Sequence, residues 1–206
     1  MRFWDRLYSG STFRYGTRPN DFVVECVEHL VDSGTLSPGA RAVDLGAGEG
    51  RNAVFLASVG FETTAIDASS QGIAKTRSLA TRNHVAITTE VADIMDWTAS
   101  SKFDLVVTTF LHIREPEPEE LLRRLLAHLS PGGYFVGEFF HPDQRRQGYQ
   151  SGGPPDPEMM LTPERAEQAL SDTELLVNRS LERHLREGKG HRGRACVTQL
   201  LARRRE

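Results

Sequence analysis

Three glycines at alternate positions, Gly46, Gly48 and Gly50, follow a short apolar run, and an aspartate stands in or after each of three successive apolar runs: Asp44, Asp67 and Asp93. Glycines in this pattern make a turn without β-carbons, so a ligand can approach the backbone closely. Carboxylates are acceptors for ribose hydroxyls and amino groups. Together these are the parts of a nucleotide cradle. The spacing is G-x-G-x-G, whereas a pyrophosphate-binding loop reads G-x-G-x-x-G. Asp44, two residues before the first glycine, would repel phosphate but could help orient a cationic aminoacyl tail. S-adenosylmethionine has such a tail, a sulfonium and no phosphate. Each aspartate taken alone would also serve as a helix cap, and the glycines as a tight connection.

The elements that position these residues can be read in order. Residues 41–45 form a short buried strand, and the glycine turn opens a helix at about Arg51 in which Ala53, Val54, Leu56 and Ala57 recur at helical spacing until Gly60. Residues 63–66 form a second strand ending in Asp67, 21 residues after Gly46 and close to the roughly 20 expected of a ribose-binding acid. Residues 87–92 form a third strand, after which the Asp93 carboxylate can accept an adenine amino group and the Ile94 N–H can reach a ring nitrogen.

Through DLGAGEG, AID, VADI and the later LSPGG, residues 40–140 resemble the class I S-adenosylmethionine-dependent methyltransferases. The resemblance implies a Rossmann-like, three-layer α/β fold with a seven-stranded, mostly parallel sheet in the order 3-2-1-4-5-7-6, strand 7 antiparallel. It also implies cofactor contacts at Tyr15, Asp44, Gly46, Ala47, Gly48, Arg51, Asn52, Asp67, Ala68, Asp93, Ile94, Thr109 and Phe110. The segment WDRLYSGSTFRYGTRPNDF is similar to the opening of the tellurite-resistance and thiopurine methyltransferase group, where the N-terminal segment covers the cofactor. On that reading residues 1–206 form a single domain: flap and helix (1–33), cofactor-binding core (40–140), substrate lid (141–161), and C-terminal helix and hairpin (162–206).

The first 19 residues carry aromatics without a periodic home, which suggests a flap, with Trp4 and Tyr8 facing substrate and Tyr15 facing a sulfonium by cation–π attraction. Phe22, Val23, Cys26, Val27, Leu30 and Val31 form one helical stripe against the sheet. FDLVVTTFLHI is a buried strand whose end should lie beside the methyl donor. It continues as Thr109-Phe110-Leu111-His112 and lacks the polar-Pro-Pro-aromatic motif of amide- and base-nitrogen methyltransferases. His112 is either a general base or a strand-end histidine bonded to a loop. Leu121, Leu122, Leu125, Leu126 and Leu129 form a core stripe, SPGG ends the helix, and residues 134–140 are the fifth strand.

Residues 141–161 have no periodicity and are too long for an ordinary connector, which points to a lid over the carboxyl edge of the sheet. Within it Arg145 and Arg146 either bind an anionic substrate or are solvated, and His141 or the nearby Glu138 could accept a proton. Thr162-Pro163-Glu164 starts a helix, and two strands joined by EGKGHRG close the chain. His191, Arg192 and Arg194 fall at that turn and point either toward the lid or into water, with solvation favoured.

The sequence has 206 residues, net charge −3 and two cysteines. That balance gives no basic field for nucleic acid, no disulfide framework and no metal-ligand spacing. No stretch reaches signal-peptide or membrane-spanning length. The expectation is a cytoplasmic protein, monomeric or homodimeric, that methylates a small-molecule acceptor, with sulfur, selenium or tellurium slightly favoured over oxygen and no metal. The other readings are a non-catalytic S-adenosylmethionine sensor or partner subunit, and a nicotinamide oxidoreductase, which the glycine spacing does not favour.

Overall fold

A computed structural model of the protein describes residues 3–114 and 116–206; Met1 and Arg2 of the expected flap lie outside the described residues. Seven strands, β1 (Arg41–Leu45), β2 (Glu62–Asp67), β3 (Thr88–Val91), β4 (Phe103–Thr109), β5 (Leu129–Phe140), β6 (Thr173–Glu187) and β7 (His191–Arg204), form one sheet in the order β3-β2-β1-β4-β5-β7-β6. β1 to β5 run parallel, and β7 lies antiparallel between β5 and β6. This is the expected topology.

Alternation along the central strands builds the three layers, because successive side chains point to opposite faces. Leu105, Val107, Val136 and Leu201 meet the stripe Phe22, Val23, Cys26, Val27 and Leu30 of α2 (Asp21–Asp32). Val106, Phe135, Leu200 and Ala202 meet Leu121, Leu122, Leu125 and Leu126 of α5 (Pro118–Leu126) on the other face. Each of these large side chains contributes about 1.5–3 kcal/mol when fully buried. Leu129, expected on the α5 stripe, instead opens β5 and pairs with Phe103, so the fifth strand starts five residues before the expected Tyr134. The SPGG tetrapeptide is absorbed into that strand.

Around β1 to β3 the remaining helices are α3 (Arg51–Val59) and α4 (Ser70–Arg82). The N-terminal segment contains a short helix, α1 (Phe3–Tyr8). Residues 141–161 hold one turn of helix, α6 (Asp143–Arg146), and a 3-10 turn, and α7 (Pro163–Ala169) follows with its Thr162 hydroxyl accepting from Arg165 N–H.

The 141–161 segment is packed rather than open. Gln144 is fully buried: its carbonyl accepts from Cys196 N–H, and its amide donates to the Ser151 hydroxyl and Gly152 carbonyl. Arg145 donates to the carbonyls of Tyr149, Gly153 and Pro154, and Arg146 pairs with Asp143 in solvent. A segment with its polar groups bonded locally gains order without any repeat in its sequence.

Candidate active site

At the carboxyl ends of β1, β2 and β4 a cavity opens, roofed by the N-terminal segment. The glycine loop forms its floor. Gly46, Gly48 and Gly50 all have positive φ, as the alternate spacing anticipated. A β-carbon on Gly48 would stand 2.9 Å from the Tyr8 hydroxyl, and one on Gly50 would stand 2.8 Å from the Thr76 backbone. The loop is therefore closed from both sides in a way only glycine permits.

Asp67 ends β2 with one carboxylate oxygen accepting from Gly48 N–H at 2.7 Å and the other from Ser69 N–H at 2.8 Å. Burial raises its pKa, against those two backbone donors. Each oxygen keeps a lone pair for a further donor in the cavity. Asp93 follows β3 and anchors its own loop by accepting from Met95 N–H. Both line the cavity with Ala68 and Ile94.

Arg51 opens α3 and is 7% exposed, with its Nη2 donating to Glu187 at 2.8 Å. Its Nη1 is buried and has no hydrogen-bond partner among the described residues. A buried guanidinium nitrogen without a partner costs free energy. Asn52 is already fixed, accepting from Asn20 N–H and donating to the Thr109 hydroxyl. Phe110, just past β4, has φ +53, a left-handed conformation that an aromatic residue rarely adopts and that is found at strained functional positions.

The N-terminal segment is bolted down by charge. Glu49, inside the glycine loop, accepts from Arg14 and Tyr15 N–H and from Lys75 Nζ, and Lys75 also donates to the Thr12 carbonyl. Asp5 accepts from Ser69 and from Ser70 beside the start of α4. The aromatics lie below: Trp4 stacks on Tyr8 at 5.8 Å and meets His112 edge-on at 5.7 Å, and Tyr8 meets Tyr15 at 6.3 Å.

Of the expected site residues, Trp4, Tyr8, Tyr15, Gly46, Ala47, Gly48, Arg51, Asn52, Asp67, Ala68, Asp93, Ile94, Thr109, Phe110 and His112 all line this one cavity. Four do not. Asp44 lies 1% exposed beneath the floor and accepts from Ala53 N–H, so it serves the first turn of α3, whose N-cap Gly50 has no side chain to do so. Arg145 and Arg146 are held as described above. His141 accepts from Asp143 N–H and is not among the residues lining the cavity.

Glu138 is also removed from proton transfer by its surroundings, since it is fully buried and accepts from Arg183, Asn20 and Gln199. In space His141 and Asp143 come together with Cys196, with ligand atoms within 4.8 Å of one another, a proximity that sequence spacing could not show.

The expectation that His191 is solvated is overturned. It is 5% exposed and lines the cavity, because β6 and β7 extend to Glu187 and His191 and leave only a three-residue turn between them. Gly16, Glu49, Leu111 and Ile113 also line it without having been singled out. The acid inside the glycine loop was the one available signal for Glu49.

Asp67→Ala should weaken binding of S-adenosylhomocysteine by about 1–3 kcal/mol, the range for losing an ionic hydrogen-bonding partner. Calorimetry reads this directly, and unchanged affinity removes Asp67 from the ligand's contacts.

Residues 42–133 match the family described as methyltransferase domain. The chain is 29% identical over 102 residues to hemagglutinin 1 of Eikenella corrodens, covering 48% of this chain and 34% of that protein. It is 25% identical over 107 residues to the probable S-adenosyl-L-methionine-dependent methyltransferase TehB of Haemophilus influenzae Rd, covering 51% of this chain and 37% of that protein. The chain thus spans little more than a third of the length of these relatives. A structure solved in work on the conversion of a disulfide bond into a thioacetal group during echinomycin biosynthesis shares the fold, with a TM-score of 0.72 at 19% identity over 98% of this chain and 91% of that one. No helix among the described residues is long and apolar enough to cross a membrane. Residues 42–133 thus match the methyltransferase-domain family, and over about half of its length the chain is similar to TehB.

Proposed function

We propose that this protein transfers a methyl group from S-adenosylmethionine to a small-molecule acceptor, with a sulfur, selenium or tellurium nucleophile slightly favoured over oxygen. The observation that carries the reading is a single cavity lined by Asp67, Asp93 and Arg51, the last with a buried Nη1 that has no hydrogen-bond partner among the described residues. Asp67 and Asp93 would hold the ribose and adenine, and Arg51 the aminoacyl carboxylate. Bound there, the sulfonium supplies an already activated methyl carbon. The protein's task is then to align the acceptor and keep water out.

Trp4, Tyr8 and Tyr15 serve both ends, offering aromatic faces to the positive charge and an apolar wall to the acceptor. His112 stands beside Trp4 with Nδ1 against the Phe110 carbonyl, and burial lowers its pKa, so it is neutral and its other nitrogen can accept a hydrogen bond from the acceptor.

A panel of thiol, selenol, metalloid oxyanion and phenol acceptors, assayed for release of S-adenosylhomocysteine, tests the reading. Binding of the cofactor with no turnover on any acceptor would favour a sensor or partner subunit. Tighter binding of a nicotinamide dinucleotide than of S-adenosylmethionine would overturn the cofactor assignment. Removing residues 1–14 takes away Trp4, Tyr8 and the Asp5 tether. Turnover should fall by about 100-fold or more through loss of alignment, with the thermal midpoint little changed; a truncated protein of full activity would sink the flap's role.

A further inference from the structure

Among the described residues, one cluster of metal-ligating side chains stands apart from the cavity. His141 follows β5, Asp143 opens α6 and Cys196 lies in β7, and none of the three lines the cavity. One imidazole nitrogen, one carboxylate oxygen and the thiol sulfur lie within 4.8 Å of one another.

The strand register explains how they meet. His141 N–H donates to the Cys196 carbonyl at 3.0 Å, which carries the β5–β7 ladder one residue past the pair Phe140 and Val197. Ala195 and Val197 pack with Phe110 and Phe140 on one face of the hairpin, so Cys196 between them points to the other face, where Asp143 and His141 stand. Gln144 locks the frame. Its side-chain carbonyl accepts from Cys196 N–H at 2.9 Å, and its backbone N–H donates to the His141 carbonyl at 2.8 Å. The backbones that carry the three donors are therefore tied to one another, and the donors are gathered before any ion arrives.

Each donor also has a lone pair to give. Asp143 Oδ1 is paired with Arg146 in solvent, while Oδ2 stands 3.6 Å from His141 Nδ1. Nδ1 accepts from Asp143 N–H at 3.1 Å, so an ion bound there releases that donor to the solvent that reaches Asp143, and one bound at Nε2 leaves it in place. The donor set selects the ion. Thiolate and imidazole suit zinc and its transition-metal neighbours, whereas magnesium and calcium take oxygen ligands. Three protein ligands with water in the fourth position make a tetrahedral zinc site, and side-chain rotations that bring the donors about 1 Å closer would complete it.

We propose that His141, Asp143 and Cys196 bind one zinc-type divalent ion, which staples the start of the 141–161 segment to β7. On binding, the Cys196 proton passes to solvent and the sulfur bonds the ion as a thiolate. The site is structural, and it does not rest on the methyltransferase reading.

Cobalt(II) is the probe, added to the full chain without an affinity tag after chelator treatment. Micromolar cobalt should bind one per chain and give a sulfur-to-cobalt charge-transfer band in the near ultraviolet. Cys196→Ser should abolish the band, and Cys26→Ser, which alters the other thiol, should keep it. Zinc should displace the cobalt and magnesium should not.

Loss of a group that merely orients a ligand weakens metal binding 10- to 100-fold. His141→Asn and Asp143→Ala should therefore each weaken zinc binding by about 100-fold or more, and asparagine keeps an acceptor for the Asp143 N–H. Zinc should raise the thermal midpoint of wild type and leave that of Cys196→Ser unchanged. The wild-type spectrum needs no variant and decides the matter where a variant does not fold. Absence of the charge-transfer band, a band that survives Cys196→Ser, displacement of cobalt by magnesium, or zinc affinity unchanged in the His141 and Asp143 variants would each overturn the proposal.

Discussion

Replacing Arg51 with alanine should weaken S-adenosylhomocysteine binding by about 3 kcal/mol, or roughly 100-fold, the scale for removing one partner of a desolvated, hydrogen-bonded ion pair. The guanidinium lines the cavity with its two terminal nitrogens in different states: Nη2 donates to Glu187, and Nη1 is buried without a partner among the described residues. Glu187 stays bonded to Arg183, Asn20 and His191 when Arg51 is gone, so the fold keeps a satisfied carboxylate there while the ligand loses its cation.

Arg51→Lys sharpens the test. An ammonium is a point donor and cannot span the positions that the planar fork reaches together, so lysine should recover less than half of the lost free energy. The measurement is calorimetry with S-adenosylhomocysteine and with its decarboxylated analogue. If Nη1 serves the ligand's carboxylate, the analogue should bind wild type and Arg51→Ala with similar affinity. An equal loss for both ligands would assign Arg51 to the fold alone.

The contrast between what could and could not be read ahead of the structure has a physical basis in how far each signal reaches along the chain. Gly46, Gly48 and Gly50 declare a turn locally, and Asp67 and Asp93 stand at strand ends set by short apolar runs, so the cradle was legible in the residues, while the sheet order followed only from the family resemblance. Glu187 and His191 were not, because EGKGHRG has the composition of a loose turn while the hairpin pairs Glu187 with His191 directly. Their burial comes from contact with Tyr15, which lies far earlier in the chain, and no periodicity within the hairpin encodes that. The local order of the 141–161 segment was hidden for a related reason. It rests on the Gln144 and Arg145 side chains bonding to backbone carbonyls and N–H groups, a pattern with no period. Asp44 is an intermediate case: its type and place suited a ligand contact, but Gly50 leaves α3 without a capping side chain and Asp44 is what reaches Ala53.

That position gives the protein a pH dependence that one substitution should remove. Burial raises the pKa of Asp44 to about 7, against the pull of Arg51 and the Ala53 N–H. A carboxyl whose pKa is higher folded than unfolded favours the fold while it is protonated, so its contribution is complete below the unfolded value near 3.9 and is lost as pH rises toward 7. The loss is about 1.4 kcal/mol per pH unit, or about 4 kcal/mol across the window.

Asn has the same shape and never ionises. Asp44→Asn should therefore match wild type near pH 4 and exceed its unfolding free energy by about 4 kcal/mol at pH 8. Urea unfolding followed by tryptophan fluorescence at several pH values would show two curves diverging as pH rises; curves that stay parallel would mean the carboxyl ionises without cost. The neutral form also bears on the site. An ionised Asp44 would draw on the positive charge of Arg51 from beneath, whereas a protonated one leaves that charge to Glu187 on one side and to the ligand's carboxylate on the other.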